Sequence, residues 1–163
     1  MADDLSRLEA WAAALLGRLS APERRRALRA LATALRRSQA ERIARQQAPD
    51  GSPFPERKAR PEAATPARAR KGRIRKRAKA GPMFRKLRVA RWLAAESSPD
   101  EAAVTFRGSA IRIARVHQFG LRDRVAKNPA APETTYARRP LLGFSAGDEQ
   151  LVARVLAEQL GGR

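Results

Sequence analysis

An α+β fold is predicted from three features: two amphipathic helical patterns at the N-terminus, two short apolar runs around a Ser-Ser-Pro-Asp turn, and a further amphipathic pattern at the C-terminus. Leu5, Leu8, Ala12, Leu15, Leu16 and Leu19 recur at helical spacing, which predicts a helix over residues 3–19. Ser20, followed three positions later by Glu23, can cap the next helix, with Pro22 in the first turn where its missing N–H is harmless. The stripe Leu28, Leu31, Ala32, Leu35 and Ile43 carries that helix to residue 46, roughly 40 Å at 1.5 Å per residue, with Arg24, Arg25, Arg26, Arg36 and Arg37 on the other side. A tight turn between the two makes residues 1–47 a helical hairpin.

Residues 48–82 form a long loop, because Pro49, Pro53, Pro55, Pro61, Pro66 and Pro82 fall there together with three glycines. Residues 83–163 complete a single domain that spans 1–163. After a helical turn at 83–87, the runs 89–95 and 102–106 flank Ser97, Ser98, Pro99 and Asp100 and predict a β-hairpin; one helix over 83–95 competes with it. Ser109 can open a short helix in which Ala110, Ile113, Ala114 and His117 share a face, with Gly120 as a left-handed C-terminal cap. Residues 133–138 have strand character, closed by Pro140. Ser145 and Asp148 then open a last helix with Leu151, Val152, Val155, Leu156 and Leu160 on its apolar face. The predicted order is ααββαβα, with Leu28, Leu31, Leu35, Ile113, Leu151 and Val155 buried together.

With 43% apolar but only 5% aromatic residues, the core must be built mainly from Ala, Leu, Val and Ile. Thirty-five Lys and Arg against sixteen Asp and Glu leave +19, which opposes compaction unless an anion lies near. The absence of cysteine excludes disulfides, thiolate metal sites and cysteine nucleophiles. The opening residues carry Asp3, Asp4, Arg7, Glu9 and Arg18, which suits an amphipathic helix and not an export signal. No run of eighteen apolar residues exists, so a soluble chain with no membrane contact is expected.

His117 is the only histidine, and helical reach offers it Ile113, Ala114 and Gly120, none of them a base partner or ligand. It is therefore read as packing and capping at a helix end. No phosphate loop of the G-x-x-x-x-G-K-[ST] kind is present. No catalytic, metal or cofactor-binding residue is assigned, and a non-enzymatic protein is expected. Residues 67–91 hold twelve Lys or Arg and no acid. Within that block Arg68, Arg70, Lys71, Arg73, Arg75, Lys76, Arg77 and Lys79 are candidates for contact with DNA phosphates or with a partner protein, without sequence readout.

Four segments in this order, QQAPDGSPFPERK at 46–58, MFRKLRVARWL at 83–93, IARVHQFGLRD at 113–123 and YARRPLLGFS at 136–145, resemble the phage virion morphogenesis, or tail completion, family. The resemblance implies a small, mostly antiparallel sheet flanked by helices. It implies a structural virion part that finishes the tail and helps join it to the head, assembled in the host cytoplasm. A homo-oligomeric, hexameric ring touching tail tube and neck or connector proteins is implied as well, with genomic DNA as a further contact. The resemblance also makes His117, Phe119 and Gly120 a structural corner feeding the loop 121–132. The alternative reading is a basic, nonspecific nucleic-acid-binding protein.

Overall fold

The computed structural model describes residues 2–57, 81–126 and 128–161. Helix α1 (Ala2–Leu16) stops before residue 19, because Arg18 N donates to Leu15 O at 3.1 Å and Leu19 N to Leu16 O at 3.2 Å, tightening the last turn. Helix α2 (Ala21–Ala44) begins where the sequence signal placed it: the Glu23 carboxylate accepts from the Ser20 backbone N–H at 2.9 Å and from its hydroxyl at 2.7 Å. It ends at Ala44 and not at 46, because Gln46 adopts a left-handed conformation, φ 61°.

The chain then turns back at once. Gln47 and Pro53 form an antiparallel bridge, Ala48 N donates to Ser52 O at 2.8 Å, and Phe54 N donates to Gln46 O at 2.7 Å. Ala48 and Phe54 are buried beside Ile43 and anchor the start of the expected loop in the core, while most of the residues around them stay exposed.

Residues 83–92 run through successive turns, interrupted by Phe84 at φ 63°, which excludes one helix over 83–95. The hairpin forms instead: β1 (Leu93–Ser97) pairs antiparallel with β2 (Ala102–Phe106), from Leu93↔Phe106 to Ser97↔Ala102. Its first strand begins at Leu93 rather than Val89, which is left exposed. Helix α3 (Ala110–Phe119) follows. Ser109 makes no side-chain cap; the first turn is closed by Ala110 N to Arg107 O and Ile111 N to Gly108 O, both 3.2 Å. Gly120 ends α3 at φ 68°, ψ 41°, the expected left-handed cap.

A second hairpin, absent from the sequence expectation, pairs β3 (Arg122–Arg124) with β4 (Glu133–Thr135). The sheet element is thus two separate two-stranded ladders. The strand expected over 133–138 stops at Thr135, where Tyr136 N turns to Leu121 O at 3.1 Å. Helix α4 (Ala146–Gly161) is capped as expected: Asp148 accepts from the backbone and hydroxyl of Ser145 at 3.0 and 2.8 Å.

Two apolar clusters result. One joins Ala27, Leu31 and Leu35 of α2 to Val152, Val155 and Leu156 of α4, with Leu8, Ala12, Leu15 and Leu16 of α1 against its edge. The other gathers Ile43, Ala48, Phe54, Leu87, Leu93, Ala110, Ala114 and Leu141, and Val104 touches both. Leu28 is buried, Leu151 half-buried, and Ile113 is 49% exposed, so Ile113 does not belong to the core. On α3 the buried positions are Ala110, Ala114 and Val116.

Candidate assembly site

Burial on α2 does not end with its leucines. Gln39 and Arg42 continue the inward stripe and are buried, polar side chains at core positions whose partners lie about a hundred residues away. Arg42 Nη2 donates to Gln39 Oε1 and to the carbonyls of Leu141 and Gly143, both at 3.2 Å. Gln39 Nε2 donates to the same Gly143 carbonyl at 2.8 Å. Ser38 Oγ donates to Asp148, a fully buried carboxylate. Burial lowers the Arg42 pKa, and the nearby Asp148 charge works against that shift. These bonds fasten residues 141–143 and the first turn of α4 to α2. Gly143 is needed at this crossing: a Cβ there would stand 2.7 Å from Pro49 Cγ.

A second clamp sits where α2 ends. Gln46 Nε2 donates to Met83 O at 3.0 Å and its Oε1 accepts from Met83 N at 2.7 Å, fixing the return of the chain at residue 83. The third involves Arg139, which is buried: Nε donates to Pro55 O and Nη2 to Glu56 O, each at 2.7 Å. The Arg139 backbone N donates to His117 O at 2.7 Å, and Gln118 Oε1 accepts from Leu141 N and Leu142 N at 2.7 and 3.0 Å. Extended segments that lack a ladder partner thereby satisfy their backbone groups through side chains.

Four rings line up inside this framework. Phe54 meets Phe84 edge-on at 5.7 Å, Phe84 meets His117 at 4.8 Å, and His117 meets Tyr136 at 5.1 Å. His117 therefore does not bond the last carbonyls of α3. Among the described residues its ring makes one hydrogen-bond contact, from Arg139 Nη1 to Nδ1 at 3.4 Å. A guanidinium only donates, so Nδ1 accepts and the proton sits on Nε2. Burial first, then the charges of Arg139 and Arg57, push its pKa down to about 4, so the ring is neutral at pH 7 and takes no charge to the helix dipole. At Gly120 a Cβ would lie 3.1 Å from both the N and Cβ of Arg138, so this position is constrained by space as well as by φ.

Phe119 does not join its neighbours in the corner; it is 62% exposed. Ile111 and Ile113 on α3, and Leu121 and Val125 on either side of β3, are exposed as well. Arg112 forks onto Asp123, with Nε to Oδ2 at 3.1 Å, tying the outer side of α3 to β3. That bond raises the Arg112 pKa and, with the Arg124 backbone N–H, lowers that of Asp123. Within the hairpin Glu133 pairs with Arg122 at 2.9 Å. Helix α3 and the β3–β4 hairpin thus expose large apolar groups together with arginines on braced elements, and both apolar groups and Arg are residue types that protein interfaces use.

Among the described residues no group of His, Asp and Glu could hold a metal ion, and no helix is long and apolar enough to cross a membrane. The eight basic candidates from Arg68 to Lys79 lie outside the described residues. Gln39, Arg42, Gln118 and Arg139 were not singled out from the sequence, although a Gln and an Arg on the buried stripe of α2 are a signal of their own.

Residues 3–161 match the family model of the phage virion morphogenesis family. The chain is 35% identical over 159 residues to tail completion protein S of Escherichia phage P2, covering 97% of this chain and 98% of that protein. No solved structure matches it. Each of the four segments that carry the resemblance supplies one ring to the Phe54–Phe84–His117–Tyr136 row, and by its sequence over nearly all its length the chain belongs to the phage virion morphogenesis family.

Proposed function

We propose that this protein is a structural, non-enzymatic component of a tailed-phage virion that completes the tail and helps join it to the head. The observation that carries the reading is the similarity to a tail completion protein along nearly the whole of both chains. It acts by assembly: the ring row and the Arg42 and Arg139 clamps hold α3 and the β3–β4 hairpin rigid. Their exposed Phe119, Ile111, Ile113, Leu121 and Val125 dock on a neighbouring copy in a ring, whose ends meet tail tube and neck proteins. His117 and Gly120 serve as the half-buried corner of that platform, and Phe119 as its contact.

The test is add-back. Particles assembled without the chain should accumulate heads and unjoined tails, and purified protein should restore joining. Phe119→Asp should melt like the parent yet stay monomeric in native mass spectrometry and fail to restore it. Complete particles in the absence of the chain, or a parent protein that remains monomeric at moderate salt and only binds DNA, would favour the nucleic-acid-binding alternative.

A further inference from the structure

We infer that the outer face of α2 is a binding site for the phosphate backbone of duplex nucleic acid, built from residues other than those of the apolar part of α3 and of the basic block at 67–91. Residues 24–37 contain six arginines and no acid. Arg24 is partly buried and pairs with Asp100 at 3.4 Å. Among the described residues, Arg25, Arg26, Arg29, Arg36 and Arg37 form no ion pair. At about 100° per residue, Arg25, Arg29 and Arg36 fall within roughly 40° of one another, and Arg26 and Arg37 make a second row about 100° round the helix. The first row extends roughly 16 Å along the axis. Arg25, Arg26 and Arg29 also line one open depression with Pro22, which brings both rows to a common spot near the start of the helix.

Phosphate is favoured over an acidic protein because of what this face lacks. Protein interfaces need apolar anchors and are depleted in charge at their centres. Among the described residues, none of the exposed large apolar side chains lies on α2. Duplex DNA presents one charge per about 1.7 Å of axis, so the 16 Å row faces a dense line of phosphates wherever it lands and needs no base readout. Helix α2 is the central element, packed on α4, β1 and β2, which keeps the row rigid. The rest of the molecule supplies a reason for such a ligand: +19 per copy becomes more than a hundred positive charges in a ring of six unless an anion is held close. The inference itself holds for a single copy and does not depend on ring formation.

The experiment uses the full chain and a random-sequence 20-bp duplex, with affinity measured by fluorescence anisotropy across a salt series. Arg25, Arg29 and Arg36 are changed together to Gln, a good helix former at these exposed or partly exposed positions, and circular dichroism melts verify the fold. Each phosphate contact contributes about −0.9 to the slope of log affinity against log salt, so the triple variant should bind more weakly and lose about 2.7 from that slope. The same positions changed to Lys should keep the slope, because phosphate contact asks for charge. A parallel variant with Arg73, Arg75, Lys76, Arg77 and Lys79 changed to Gln separates the basic block. An unchanged slope in the α2 variant, whether or not the basic-block variant loses its own, overturns the inference. So does a triple variant that binds DNA like the parent but no longer supports head–tail joining, which would put a protein on this face.

Discussion

Arg139 approaches His117 twice: its backbone N–H donates to the His117 carbonyl at 2.7 Å, and its Nη1 reaches the ring Nδ1 at 3.4 Å. The first contact closes an end of α3; the second sets the imidazole tautomer and keeps a fixed positive charge beside it. A protonated ring would lose the Nδ1 acceptor and meet that charge.

Stability should therefore fall in mild acid through His117. Its folded-state pKa of about 4 lies below the ordinary 6.5, so the unfolded chain takes the proton first. The contribution is whole above pH 6.5 and is lost as the pH falls from 6.5 through about 4, at most about 3 kcal/mol and less for the ring's partial exposure. Urea melts of the parent and of His117→Gln across that range check it. The variant should start about 1 kcal/mol lower at pH 7 from lost ring contacts and show a shallower acid decline. Parallel declines would remove His117 as the cause.

Gly120→Val should destabilise by about 2–4 kcal/mol, since a β-branched residue resists φ 68° and its Cβ meets the Arg138 backbone. Gly120→Asn separates the two causes. Asn tolerates left-handed backbone but still carries the Cβ, so thermal melts should place it between parent and Val; an Asn variant equal to the parent would show that space is not limiting.

The core boundary can be checked with two truncations. Leu31→Ala, in the α2–α4 cluster, should cost about 2–5 kcal/mol. Ile113→Ala should cost less than about 0.5 kcal/mol in the isolated chain, because the side chain is already half in water. A large loss at Ile113 in denaturant melts would contradict the observed orientation of α3.

Arg139→Lys keeps the charge and loses the fork. One ammonium cannot reach both the Pro55 and Glu56 carbonyls with the geometry of Nε and Nη2, so a loss of about 1.5–3 kcal/mol is expected. Faster amide exchange at residues 54–57 would locate the damage; an unchanged melt and exchange pattern would show that these bonds contribute nothing net.

What the sequence determined by itself is local. The Ser20–Glu23 and Ser145–Asp148 caps, the leucine stripe of α2, the β1–β2 hairpin and the left-handed Gly120 depend on groups a few residues apart, and were legible for that reason. Of the candidate site, the four segments could be named, but not what joins them. Only tertiary packing decides that Phe54, Phe84, His117 and Tyr136 form one row, because each ring arrives on a different part of the chain. The same holds for the inward turn of Gln39 and Arg42, whose acceptors lie near residues 141–143. The charged three-residue β3 carries no apolar alternation to read, and its partner β4 lies across the connection 125–132. Ile113 and Val116 are equally apolar in sequence; which one is buried depends on how α3 is rotated, and that rotation is fixed by Arg139, Gln118 and the ring of His117, all bonded or packed against distant segments.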